Sequence, residues 1–145
     1  MSELSTSTIT IDAPIDAVRG ILFDLGAYPT WSTAIKSAEV KSTDDQGRAT
    51  SVKVSIDAGM MKDRVLLNYD WSAAPERLEF SLEDADLLTA MNGAYITKAI
   101  DADTTSVTYE LGVEVSMPIP SMMRTKAEKA TIDQALAQLK EHAEN

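Results

Sequence analysis

Few residues in this chain have the side chains that nucleophilic or metal-assisted catalysis requires. The chain has no cysteine and a single histidine, His142, close to the carboxyl end of a predicted helix. No Ser-His-Asp or Cys-His arrangement can therefore be drawn, and thiolate ligation of zinc or of an iron–sulfur cluster is excluded. Gly59, Gly93 and Gly112 stand alone, so no nucleotide-binding glycine loop is present. We expect neither a metal nor a cofactor.

Carboxylates and one tyrosine are the remaining candidates for acid–base chemistry. The clusters Asp44-Asp45, Glu83-Asp84-Asp86 and Asp101-Asp103 fall in predicted turns, where solvated acids are usual. A carboxyl group in an apolar pocket has a raised pKa and can act as a general acid or base, and Glu128 is the best candidate because the spacing of the last helix places it inward. An exposed position on the helix is the alternative for Glu128, and Tyr95 is the second catalytic candidate. Other polar side chains that could enter a cavity are Thr125, Asn92, Glu110 and Arg124.

The first third of the chain predicts a strand, a helix and a turn. Residues 8–11 alternate polar and apolar side chains, as a half-buried strand does. Residues 14–25 carry apolar side chains at helical spacing, with Asp12 as the expected N-cap and Gly26 as the stop signal. Residues 28–31 predict a turn or a second short helix.

Most of the chain from residue 34 to residue 116 predicts β-structure. Six segments alternate apolar and polar residues, and their connectors are short, which is typical of an antiparallel meander. A long helix then runs from about 121 to 142, with Ser121 as the expected N-cap. This order predicts an α+β fold in which a curved antiparallel sheet wraps around the C-terminal helix.

One face of that helix changes character along its length. The apolar stripe consists of Ile132, Ala135, Leu136, Leu139 and Ala143. Extended toward the amino end of the helix, the stripe passes through polar Ser121, Thr125 and Glu128. The first half of the helix therefore either leaves the core or borders a partly polar space inside the protein.

Aromatic and methionine side chains are the candidates for binding an apolar ligand. Tyr69 and Trp71 share a strand face that we expect to point inward, where they either pack the core or line a pocket. Methionines cluster in two predicted loops, and unbranched thioethers adapt to irregular ligands, although they also fill gaps in cores. The predicted ligand-binding residues are Trp31, Met60, Met61, Tyr69, Trp71, Tyr95, Met117, Met122, Met123, Thr125 and Glu128.

Length and charge limit the possible functions. The 145 residues, 44% of them hydrophobic, suit one domain covering residues 1–145. A net charge of −10 argues against binding of nucleic acid or of anionic membranes. The sequence has neither a long apolar run nor a signal peptide, so we expect no stable membrane insertion and a cytoplasmic location.

Nine short segments are distributed along nearly the whole chain: Ile9-Thr10-Ile11-Asp12-Ala13-Pro14, Asp24-Leu25, Tyr28-Pro29-Thr30-Trp31, Tyr69-Asp70-Trp71, Asn92-Gly93-Ala94-Tyr95, Thr105-Ser106-Val107-Thr108-Tyr109, Pro118-Ile119-Pro120, Ala127-Glu128-Lys129 and Leu136-Ala137-Gln138-Leu139-Lys140. Together, in this order, they resemble polyketide cyclase/dehydrase-like members of the START/SRPBCC superfamily, small actinobacterial members most of all. The resemblance implies a helix-grip fold whose sheet grips the last helix around a deep cavity. Relatives include lipid carriers, hormone receptors, aromatase/cyclases and quinone-binding proteins, so fold alone does not decide the activity.

Two functions follow from this resemblance. The leading hypothesis is a binding or transport protein for a hydrophobic small molecule such as a lipid, a fatty acid, a quinone or a polyketide-like compound. The alternative is a cyclase or dehydratase that uses Glu128 or Tyr95, and a protein-binding surface around the methionines is a third possibility. A dry cavity of a few hundred Å3 would cost several kcal/mol at about 24 cal/mol per Å3, so we expect ligand or water to fill it.

Overall fold

The computed structural model describes residues 4–57, 62–116 and 119–145. Its strands are β1 (Ser5–Ile11), β2 (Ile35–Thr43), β3 (Ala49–Asp57), β4 (Lys62–Asp70), β5 (Arg77–Ala85), β6 (Leu88–Asp101) and β7 (Thr104–Val115). Its helices are α1 (Ile15–Phe23), a 3-10 helix (Leu25–Thr30) and α2 (Ser121–Glu144). The predicted α+β class and the predicted curved sheet with a long C-terminal helix are confirmed.

The seven strands form one antiparallel sheet in the order β1-β7-β6-β5-β4-β3-β2. Strands β2 to β7 make the predicted meander, each strand pairing with the next one in the sequence. The first strand returns to pair with the last, with Ile9 opposite Val107. The amino-terminal strand therefore closes the side of the sheet that α2 covers.

Alternating side chains give the sheet a buried and a solvated face. On β7, Val107, Tyr109 and Leu111 are buried, as the alternation predicts. The edge strand β2 is the exception, because most of its residues are exposed and its pairing with β3 contains register shifts. Bulges of this kind weaken an edge strand as a template for further strands.

The sheet has two ends that carry different loops. Strand β7 ends where β6 begins, with Val115 opposite Leu88, and α2 starts a few residues later at Ser121. We call this the loop end. Its opposite, the turn end, holds the β2–β3 and β6–β7 turns and the carboxyl end of α2. Twelve residues of β7 separate the two ends by about 36 Å along the strand.

The predicted helix N-caps are wrong. Pro14 and Pro120 occupy the N-cap positions, in extended conformations and without side-chain capping bonds, where Asp12 and Ser121 were expected. Proline fits there because its fixed φ suits the entry to a helix, and its carbonyl still accepts the first helical hydrogen bonds. The backbone N–H of Asp12 instead donates to Glu144 at 2.8 Å.

The first helical region is also divided differently from the prediction. Helix α1 ends at Phe23, and Asp24 breaks the α-helical geometry with ψ of 78°. The chain then continues as the 3-10 helix, which contains both the expected stop residue Gly26 and Pro29. This short helix matters because it closes one side of the candidate site.

Candidate ligand cavity

An internal cavity of about 40 Å3 lies between the inner face of the sheet and the 3-10 helix. The lining residues come from the 3-10 helix and from strands β2 to β7. They are Leu25, Tyr28, Ile35, Ala38, Val52, Val54, Ile56, Leu67, Tyr69, Phe80, Met91, Tyr95 and Tyr109. None of these described lining residues carries a charged side chain.

The cavity differs in place from the sequence expectation. The expected hollow lay between the sheet and the last helix, but α2 contributes none of the described lining residues. Helix α2 packs mainly on β1 and β7, and its buried residues Ile132, Leu136 and Leu139 seal that half of the sheet. The predicted apolar stripe on the second half of α2 is therefore correct: it packs into the core and does not border the cavity.

The cavity is also much smaller than expected. At about 24 cal/mol per Å3, an empty space of 40 Å3 costs about 1 kcal/mol, which a stable domain tolerates. A buried water needs about 10–15 Å3 of such space, so the cavity has room for two or three waters.

The aromatic rings of the lining form a continuous series of contacts. Tyr95 and Tyr109 stack with ring centroids 4.2 Å apart and planes inclined by 22°. Tyr109 contacts Phe80 at 6.4 Å on one side, and Tyr95 contacts Tyr28 at 6.5 Å on the other. Phe80 in turn contacts Tyr69 at 5.8 Å. The cavity therefore has a flat, aromatic wall across the middle of the sheet.

All four tyrosines of the chain belong to this wall, and their phenols are neutral at physiological pH. Burial is the largest cause that raises the pKa of Tyr28, Tyr69, Tyr95 and Tyr109 above the ordinary value. The Tyr28 hydroxyl donates to the Leu22 carbonyl at 2.6 Å, which fixes its ring. Neutral phenols offer hydrogen bonds to a ligand without supplying charge.

The structure brings two of the predicted ligand-binding residues, Tyr69 and Tyr95, to the cavity. Trp31 and Trp71 are buried beside it. Trp31 packs on Tyr28 at 4.9 Å, and its Nε1 has no hydrogen-bond partner within the described part of the chain. The Trp71 Nε1 donates to the Ala49 carbonyl at 2.7 Å, which gives that indole a structural contact.

The other predicted ligand-binding residues lie elsewhere. Met122, Met123 and Thr125 are exposed on the first turns of α2, outside the described cavity lining. Met60, Met61 and Met117 lie outside the described residues. The predictions for these three methionines stay predictions.

Glu128 is buried, but its carboxylate is fully engaged in the fold. One oxygen accepts a hydrogen bond from the Ser5 hydroxyl at 2.7 Å, and the other accepts from the Val113 backbone N–H at 2.7 Å. The residue is 2% exposed and is absent from the described cavity lining. Its inward position agrees with the stripe, yet its contacts join α2 to β1 and β7.

Tyr28 and Tyr109 line the cavity, although neither was among the predicted ligand-binding residues. Strand alternation contained the signal for Tyr109, since it lies directly opposite Tyr95 on the paired strand. Of the other polar candidates, Asn92 is exposed and Glu110 accepts from Arg77 at 2.8 Å.

The described part of the chain contains no group of three His, Asp or Glu side chains placed to hold a metal ion. Among the described helices, none combines the length and the apolar character that crossing a bilayer requires.

Comparison with known proteins agrees with this architecture. The family model described as polyketide cyclase/dehydrase and lipid transport matches residues 4–144, whereas no curated protein matches. A START superfamily protein from Mycobacterium smegmatis shares 20% identity with a TM-score of 0.92, the match covering 99% of this chain and 98% of the other. The Zhui aromatase/cyclase from a Streptomyces species shares 16% identity with a TM-score of 0.75, covering 97% and 93%. A conserved protein from Geobacillus kaustophilus shares 16% identity with a TM-score of 0.77, covering 95% and 93%.

These likenesses, all at low sequence identity, establish the helix-grip fold. Family membership rests on the family model, because that model matches nearly every residue from β1 to the end of α2. The chain belongs to the polyketide cyclase/dehydrase and lipid transport family.

Proposed function

We propose that this protein binds an uncharged hydrophobic small molecule in the cavity between the sheet and the 3-10 helix. The observation that carries the proposal is the aromatic wall, which lines the cavity with neutral phenols and with no charged side chain. Family membership supports the same class of function, since its description includes lipid transport. A cytoplasmic location and a single domain over residues 1–145 stay predictions.

The lining favours some of the predicted ligand classes over others. A fatty acid carries a carboxylate, and burying that charge without a cationic partner is costly. A quinone or a polyketide-like aromatic compound is flat and neutral, and its carbonyl oxygens accept hydrogen bonds from phenols. Stacking on Tyr95 and Tyr109 would add to the free energy of apolar burial. We therefore propose an aromatic ligand with carbonyl or hydroxyl groups.

Binding requires side chains to move. Pockets for drug-sized ligands typically occupy about 300–1,000 Å3, whereas this cavity measures about 40 Å3. The rings of Tyr69 and Phe80 and the flexible thioether side chain of Met91 must therefore rotate or shift when a ligand enters. We expect slow association, because complexes that need rearrangement form below the usual rates.

A fluorescence titration tests this proposal. A neutral, environment-sensitive naphthalene probe should bind saturably at micromolar protein, and a fluorescent fatty acid should bind more weakly. Ala38→Leu adds side-chain volume to the cavity wall and should weaken probe binding about tenfold or more. Ala85→Leu, a half-buried position outside the described lining, is the matched control and should change binding less than twofold. Folded wild-type protein that binds neither probe would overturn the proposal.

One observation favours a second candidate function, a cyclase or dehydratase. Burial raises the pKa of Tyr95 and keeps its phenol protonated, so the hydroxyl can donate a hydrogen bond to a carbonyl oxygen of a polyketide-like substrate in the cavity that it lines. Tyr95→Phe should then abolish turnover while changing probe affinity only a few-fold. Equal turnover by Tyr95→Phe and wild type would exclude Tyr95 as the donor, and wild-type protein without turnover would leave binding as the function.

A further inference from the structure

We infer that the loop end of the fold is a docking surface for a lipid bilayer that contains anionic headgroups. The surface consists of an apolar tip, which we define as Leu87, Ile119, Met122 and Met123, and of the cations next to it on α2. It concerns docking on a membrane surface and does not involve a membrane-spanning segment.

The apolar tip is unusually exposed for side chains of its kind. Met122 is 82% exposed and Leu87 is 62% exposed, while Met123 and Ile119 are 49% and 42% exposed. All four lie where β6 and α2 begin, because Leu88 pairs with Val115 shortly before Ile119. Apolar side chains gathered at one end of a molecule usually mark an interaction site.

Charge identifies the partner. Arg124 and Lys126 follow the two exposed methionines, and neither makes an ion pair within the described part of the chain. Lys126 lies one helical turn after Met122, on the same face of α2. Methionines with adjacent unpaired cations match the interfacial region of a bilayer, where apolar groups enter the acyl boundary and cations meet lipid phosphates.

Most carboxylates at the loop end are ion-paired, buried or on the outer face of the sheet. Asp57 lies 3.8 Å from Lys62, and Asp86 lies 3.2 Å from Arg64. The Asp63 carboxylate is buried and accepts four backbone hydrogen bonds. Glu114 projects from the outer face of the sheet by strand alternation, opposite the face on which α2 packs, whereas Glu83 and Asp84 are exposed at the register shift between β5 and β4.

The net charge of −10 does not oppose this docking, because much of it lies far away. Carboxylates of the turn end include Asp44, Asp45, Asp101, Asp103, Glu141 and Glu144, of which Asp44 and Glu144 pair with Arg48 and Lys140. The two ends lie about 36 Å apart along β7, whereas the Debye length at physiological ionic strength is about 8 Å. The overall charge predicted no affinity for anionic membranes, but a bilayer at the loop end is attracted by the local cations.

Co-sedimentation with large unilamellar vesicles tests the inference. Wild-type protein should sediment with vesicles of phosphatidylcholine containing one third phosphatidylglycerol, and less with phosphatidylcholine alone. The double variant Met122→Ser and Met123→Ser should lower the partition coefficient about tenfold, and Arg124→Gln and Lys126→Gln about fivefold each. Raising the salt concentration should weaken binding as the Debye length shortens.

Two variants at the turn end serve as matched controls. Ile100 is 55% exposed and Lys98 is exposed, so Ile100→Ser and Lys98→Gln make the same chemical changes far from the tip. Each should leave vesicle binding within twofold of wild type. Equal losses in these variants would overturn the inference, as would wild-type protein that does not sediment with the mixed vesicles.

A second copy of the chain is the competing occupant. Sedimentation velocity would then find a dimer that the methionine double variant abolishes, with no vesicle binding, and that result would also overturn the inference. The vesicle assay contains no cavity ligand, so its outcome is independent of the probe titration described above.

Discussion

Removing the Glu128 carboxylate should destabilise the fold strongly. In Glu128→Ala the Ser5 hydroxyl and the Val113 N–H both lose their acceptor, and each of those bonds is 2.7 Å long. A buried donor without a partner costs about 1–3 kcal/mol, and Ser5 can reorient while the Val113 N–H cannot. We expect the free energy of unfolding to fall by about 2–4 kcal/mol, which lowers Tm by roughly 6–12 °C for a domain of this size.

Two further variants separate the hydrogen bonds from the helix itself. Glu128→Gln keeps an acceptor for Val113 and can donate to the Ser5 oxygen, so it should cost about 1 kcal/mol. Glu141→Ala removes an exposed acid from the same helix and should change stability by less than about 0.5 kcal/mol. Thermal and urea unfolding measure all three. A Glu128→Ala protein as stable as wild type would refute the assignment of this carboxylate to the link between α2, β1 and β7.

Three other predictions follow from buried groups. Burial acts to raise the pKa of Asp63, but its four backbone hydrogen bonds outweigh burial and lower it, so its stabilisation is complete above about pH 4 and is lost as the pH falls below that value. Acid unfolding of Asp63→Asn should therefore show a weaker pH dependence than wild type. Because the pKa of every tyrosine is raised, absorbance at 295 nm should show little phenolate at pH 10. The free energy of unfolding should decline above that pH, because unfolded tyrosines ionise there and the buried phenols do not. Gly93→Ala would place a Cβ 2.2 Å from the Glu110 carbonyl oxygen and 2.8 Å from the Phe80 ring, so the free energy of unfolding measured in urea should fall by about 2–4 kcal/mol. Gly20→Ala is the control: Gly20 lies in α1 with open space around it, so the free energy of unfolding should rise by about 0.5–1 kcal/mol.

Strand alternation and helical spacing predicted most of the fold, because burial of one face imposes a period on the sequence. The pairing of β1 with β7 has no such local signal, since the partners Ile9 and Val107 are far apart in the chain. The role of Glu128 depends on that pairing. The stripe placed Glu128 inward, but its partner Ser5 lies 123 residues away and reaches the carboxylate only because β1 returns to β7.

The location and the size of the cavity could not be predicted from patterns. Alternation identifies which side chains of a strand share a face, and it placed Tyr69 and Trp71 on an inward face. It carries no information on how far the rings lie from the 3-10 helix, which depends on the curvature of the whole sheet. The cavity volume is the difference between the volume that the sheet and the 3-10 helix enclose and the volume of the side chains inside it. Both are large, so a small change in sheet curvature changes the cavity volume several-fold.

A nearly closed cavity is compatible with the proposed binding function. An open space of about 300 Å3 would cost roughly 7 kcal/mol, a large part of the 5–15 kcal/mol that stabilises a typical domain. Closing the aromatic wall to about 40 Å3 reduces that cost to about 1 kcal/mol in the free protein. The ligand must then supply the difference of about 6 kcal/mol, which at about 25 cal/mol per Å2 corresponds to some 240 Å2 of buried apolar surface. The ligand that we propose must therefore bury at least that area, which favours polycyclic aromatic compounds over smaller molecules, because a ligand with less apolar surface cannot offset the free energy of opening the wall.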